Sequence, residues 1–149
     1  NIFQLPLTNK STRFQYMMET SSSEGGALSS FGLNKDFRGK KIKDINSYSI
    51  LGTTLDEMIN QKILNIPDYI KIDVDGIEHL ILQQADKCLT HDNLKSLSIE
   101  INENFEEQYK MVLKIMKDYE FKILHKKHNN KMFNEESKHN KTYNYVFVR

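Results

Sequence analysis

Tryptophan is absent from this chain of 149 residues, cysteine occurs once, proline twice and arginine three times. The lone Cys88 excludes an internal disulfide and any site built from several thiolates, and it suits a reducing compartment, so a cytoplasmic location is expected. Arg13, Arg38 and Arg149 are few planar forks for gripping phosphates or base edges, and a formal net charge of +1 provides no large field. Nucleic acid is therefore not expected as a partner. No apolar run approaches the roughly 20 residues that cross a bilayer, and the first ten residues lack the basic-then-apolar order of a signal peptide. A membrane is not expected either. What is present, 38% hydrophobic residues, suits one domain over residues 1–149, since chains of this size bury about two thirds of their unfolded surface.

Thr20 to Lys41 holds four of the six glycines and five serines with no apolar period, which reads as a long loop, either a lid on the substrate side or a mobile insertion. A second polar stretch, His125 to Thr142, carries His125, His128 and His139 without ligand spacing and reads as a solvated loop. Between them the periodicities are regular. Thr54 and Glu57 fit a capping box ahead of a short helix to about Asn60. Tyr69 to Val74 alternates as a strand, Gly76 breaks it, and Ile77, Leu80, Ile81, Ala85 and Leu89 space a helix over 77–89. Leu97, Ile99 and Ile101 mark a second strand, followed by a helical stripe from Phe105 to Tyr119. Two strands each followed by a helix make an α/β chain with parallel strands and right-handed crossovers. Phe121–Leu124 and Tyr143–Val148 read as a closing antiparallel pair, and Phe14–Met18 as a further strand.

Ligands of open α/β sheets bind beyond the carboxyl ends of the strands. Here the first strand ends in Asp73, Asp75, Gly76, Glu78 and His79, and the second in Glu100, Asn102 and Glu103. If the strands are neighbours, about 4.8 Å apart, Asp73 and Glu100 project from one polar face. Carboxylates crowded in this way need a cation, a proton or a polar ligand to offset their repulsion. Asp73 interrupts an apolar strand period, with Lys71 as its ion-pair partner. Asp75 and Glu78 also suit the start of the following helix, and His79 reads as an exposed polar residue. A calcium loop is rejected because Gln84 stands where its last acid would be, and no phosphate-binding glycine loop is present. Cys88 reads as a small buried thiol.

The run Ile66-Pro-Asp-Tyr-Ile-Lys-Ile-Asp-Val-Asp-Gly-Ile-Glu78, with Thr53-Thr-Leu-Asp56 before it and Leu97-Ser-Ile-Glu-Ile-Asn102 after it, resembles the FkbM family of S-adenosylmethionine-dependent methyltransferases. The resemblance implies a Rossmann-like fold, a mostly parallel sheet with flanking helices, lacking its first strands together with the glycine-rich cofactor turn. It implies O-methyl transfer to a hydroxyl of a sugar or natural-product-like small molecule, with Asp73, Asp75 and Glu78 as catalytic candidates and His79, Glu100 and Asn102 binding the acceptor. With those first strands missing, Tyr69 to Val74 would have an unpaired edge, through which a homodimer could form. Two other readings stay open: a phosphoester hydrolase using Mg²⁺ or Mn²⁺ at Asp73, Asp75 and Glu100, and a non-catalytic remnant domain.

Overall fold

The computed structural model describes residues 2–19, 29–43, 46–128 and 139–149. Three strands, β1 (Arg13–Glu19), β2 (Ser30–Phe31) and β3 (Asn46–Gly52), form an antiparallel sheet in the order β2-β1-β3. β1 pairs with β3 along its whole length, from Arg13 opposite Gly52 to Glu19 opposite Asn46. Met17 and Ile50 point toward the core, while Phe14 and Tyr16 on the other face of β1 are exposed. The chain then runs through α1 (Leu55–Asn60), β4 (Tyr69–Ile72), α2 (Glu78–Leu82), α3 (Asp86–Leu89), β5 (Ser96–Asn102), α4 (Glu106–Asp118), β6 (Lys122–Lys127) and β7 (Thr142–Val148).

The second sheet has the order β4-β5-β7-β6. β4 and β5 are parallel, but β5–β7 and β6–β7 are antiparallel. The mostly parallel sheet expected from sequence is therefore not formed. Among the described residues the only connection that returns parallel is the one through α2 and α3; after α4, β6 takes the outer edge and β7 turns back between β6 and β5. β4 is the terminal strand on the other side. The fold is a mixed α/β arrangement of two sheets.

Leu97, Ile99 and Ile101 of β5 face the helices with Tyr145 and Phe147 of β7, which stand opposite them in register. Val112, Ile115 and Met116 of α4 close this core. Leu97, Ile99 and Ile101 are fully buried, and trimming one of them to alanine would cost about 2–5 kcal/mol. The opposite face carries Lys71, Ser98, Glu100 and Asn144.

Thr54 Oγ1 accepts from the Glu57 N–H at 3.1 Å, starting α1 as anticipated, although the Glu57 carboxylate accepts from Gln61 rather than reaching back. The single helix expected over 77–89 is two. The Asp56 N–H donates to the Gln84 carbonyl at 3.1 Å, and the Lys87 N–H donates to the Asp56 carboxylate at 3.0 Å, so a neighbouring segment takes backbone groups that a continuous helix would use. Ala85, at φ −127°, marks the break. β3 has no counterpart in the sequence reading. His125 lies in β6, so the second polar loop is shorter than expected; its stretch 129–138 lies outside the described residues, as does 20–28 of the first. Cys88 is buried and its thiol is pushed up to about 11, chiefly by burial, which keeps it protonated. No helix among the described residues is long and apolar enough to cross a membrane.

Candidate functional site

Parallel pairing of Ile72 with Ile99 sets the register of β4 against β5. The next residue of each strand is a carboxylate, so Asp73 and Glu100 stand side by side at the carboxyl ends. Burial first, and then the charges of Asp73, Glu78 and Asp75, push the Glu100 carboxyl up to about 7. Lys71 Nζ lies 2.6 Å from the Asp73 carboxylate, on the same face, as a strand period of two requires. That contact raises the Lys71 pKa and keeps the ammonium charged. Among the described residues no group of three or more acidic, histidine or cysteine side chains is arranged to hold a metal ion.

The turn after β4 is wound tightly. Asp75 has φ +59° and Gly76 φ +115°, backbone conformations that side chains resist. Glu78, from the first turn of α2, holds this turn from inside: its buried carboxyl accepts from the Val74 N–H at 3.1 Å and the Gly76 N–H at 3.1 Å. Burial raises the Glu78 pKa to about 7 against the opposing pull of these donors. The Gln108 amide, from α4, donates to the same carboxyl, while its oxygen accepts from the Asn102 N–H at 3.0 Å.

Asn102 extends the network outward. Its side-chain amide donates to the Phe37 carbonyl at 3.1 Å and its oxygen accepts from the Asn104 N–H at 3.0 Å. Phe37 belongs to a turn ordered by the Asp36 carboxylate, which accepts from the Arg38 and Lys40 N–H groups and pairs with the Arg38 guanidinium. These donors hold the Asp36 pKa low against the opposing effect of burial. The Phe37 backbone packs so closely on Gly76 that a Cβ there would stand 2.9 Å from the Phe37 Cα. Part of the first long loop thus lies across the ends of β4 and β5.

Asp73, Asp75, Glu78, Glu100 and Asn102 are therefore gathered at one end of the sheet. His79 departs from its reading as an exposed polar residue. It is 2% exposed, its ring sits edge-on to Phe105 at 5.7 Å, and burial lowers its pKa. The short helix α2 buries Glu78 and His79 together with Ile81 and Leu82, so its polar residues do not face solvent. Gln108 and Phe37 were not singled out from sequence. The available signal for Gln108 was its place three residues after Phe105 and four before Val112, on the apolar stripe of α4.

The model of the family described as Methyltransferase FkbM domain matches residues 3–123. The chain belongs to the FkbM methyltransferase family. Neither a curated protein nor a solved structure matches it. In this FkbM domain the turns after β4 and β5 offer no backbone cradle to the nucleotide of S-adenosylmethionine, the methyl donor that the family generally uses. The Val74 and Gly76 N–H groups after β4 are taken by Glu78 rather than offered to a ligand. After β5 the chain continues as Asn102-Glu103-Asn104-Phe105, with no glycine to let a backbone approach a ribose or phosphate.

Proposed function

We propose that this FkbM domain serves the acceptor side of O-methyl transfer from S-adenosylmethionine to a hydroxyl of a small molecule. The observation that supports this reading, beside family membership, is the meeting of Asp73 and Glu100 at the ends of two parallel strands. An alcohol is a weak nucleophile near neutral pH, so the protein must orient its oxygen and remove its proton as the new bond forms. With Glu100 raised to about 7 by burial and by the charge of Asp73, its carboxyl takes up a proton near neutral pH. Lys71 pairs with the Asp73 carboxylate, and the acceptor hydroxyl donates to that carboxylate.

Glu78 works from beneath as a positioning residue, fixing the turn that carries Asp75, and Asn102 fixes the strap at Phe37. His79 packs against Phe105 and stabilises α2 against α4.

The test is transfer of a labelled methyl group from S-adenosylmethionine, supplied at millimolar concentration, to a panel of hydroxyl compounds. Asp73→Asn and Glu100→Gln should each lower the rate by a factor of about 10²–10⁴, the contribution typical of a positioned acid or base. Transfer at the wild-type rate in both variants would overturn the assignment.

A further inference from the structure

A cavity of about 300 Å³ lies where the small sheet meets α2 and the turn after β4. Phe31, Ile77 and Ile81, each no more than 5% exposed, form its inner wall, and Leu7, Met17 and Val74 line it nearer the surface. Of the nine described residues that line it only Ser29 carries a side-chain hydroxyl, and none carries a charge. Water would find few partners on such a surface, because a bound water needs two to four polar groups. The cavity reaches the carboxyl end of β4, because Val74, two residues beyond Ile72, lines it, while the Asp73 side chain before it turns to Lys71.

We propose that this cavity holds the alkyl part of the acceptor, so that the substrate is an amphiphile whose chain lies against Phe31 and Ile81 and whose hydroxyl reaches the carboxylates flanking Val74. The proposal rests on the methyl-transfer reading for the role of that hydroxyl, but not for the binding of the chain. At about 30 Å³ for a water-sized group, the volume takes about ten such units, the size of a medium-length alkyl chain. A bare sugar would leave this apolar wall unused and gain nothing from it.

The experiment is isothermal titration calorimetry of the chain with hexyl, octyl and decyl β-D-glucosides below their micelle concentrations, with no methyl donor present. Affinity should rise about fourfold for each added methylene, which is the gain for removing one such group from water. Met17→Trp, which fills the cavity from β1, should weaken decyl glucoside binding at least tenfold while circular dichroism and the melting temperature show a folded chain. Leu5→Asp at the mouth, where Leu5 is 36% exposed, supplies a second variant that does not depend on repacking the interior and should also weaken binding. Affinity independent of chain length, or binding unchanged in both variants, would overturn the proposal. If alkyl binding holds but no hydroxyl compound is ever methylated, the methyl-transfer reading falls and the cavity assignment stands. Methylation of short polar alcohols without alkyl binding does the reverse.

Discussion

Gln108 on α4 donates its amide to the carboxyl of Glu78, thirty residues earlier in the chain, and both side chains are almost fully buried. The same amide group accepts from the Asn102 backbone, so one side chain ties α4 to the end of β5 and to the turn after β4. Replacing it by alanine leaves a buried carboxyl short of a donor and a buried N–H without its acceptor. Gln108→Ala should therefore destabilise the fold by about 1–3 kcal/mol for each group left unpaired, read as a lower urea midpoint with an unchanged slope. A midpoint equal to that of the parent chain would show that the network is not what holds the turn.

Gly76 tests the strap over the same turn. Its φ of +115° and the Phe37 Cα, which would stand 2.9 Å from an added Cβ, leave no place for a methyl group. Gly76→Ala should cost on the order of 1–3 kcal/mol from backbone strain alone, and more from the displaced strap. Thermal unfolding measures it, and a variant as stable as the parent would show that the strap is free to lift.

Titration with S-adenosylhomocysteine tests the disagreement between the family's donor and the residues after β4. With the Val74 and Gly76 N–H groups occupied by Glu78, binding should be weak, with a dissociation constant on the order of 1 mM, about −4 kcal/mol. Saturation in the micromolar range would mean that other residues of the chain form the nucleotide site.

Much of this arrangement is legible in the sequence because burial writes a period. Ile70, Ile72, Leu97, Ile99 and Ile101 alternate, and the carboxylates that follow them fall at strand ends. The pairing of Lys71 with Asp73 follows from the same period of two. What does not follow is set by partners far along the chain. The break at Ala85 depends on Asp56, and the burial of His79 depends on Phe105. A buried glutamine such as Gln108 has no local mark other than its place on an apolar stripe. β3 escapes because Asn46, Ser47, Tyr48 and Ser49 are all exposed, so neither of its faces shows a clear apolar set at that end.

The raised pKa of Glu78 gives stability a pH dependence of definite sign. A carboxyl whose folded pKa, about 7, exceeds its ordinary value of 4.5 binds its proton more tightly in the folded chain. Its contribution is complete below about 4.5 and is lost as the pH rises through about 7. Glu78→Gln removes the titration, so the stability difference between parent and variant should shift against the parent across that window. Denaturation curves at several pH values decide it, and a constant difference would place the Glu78 pKa near its ordinary value.

Glu100 permits a test with two opposite arms. Burial is the larger cause of its raised pKa and the negative charge of Asp73 the next, so burial alone should keep the midpoint above 4.5 when that charge is removed. Asp73→Asn should therefore lower the Glu100 midpoint from about 7 without restoring the ordinary value. Lys71 acts in the other direction, since its ammonium attracts the ionised form of Glu100. Lys71→Met removes that attraction and should raise the midpoint. Carbon NMR of the Glu100 carboxyl across the titration follows both shifts. Movement in opposite directions is what a carboxyl placed between an anion and a cation requires. An unchanged midpoint in both variants would mean that neither Asp73 nor Lys71 sets the protonation of Glu100, and the two carboxyls could not then act together on an acceptor.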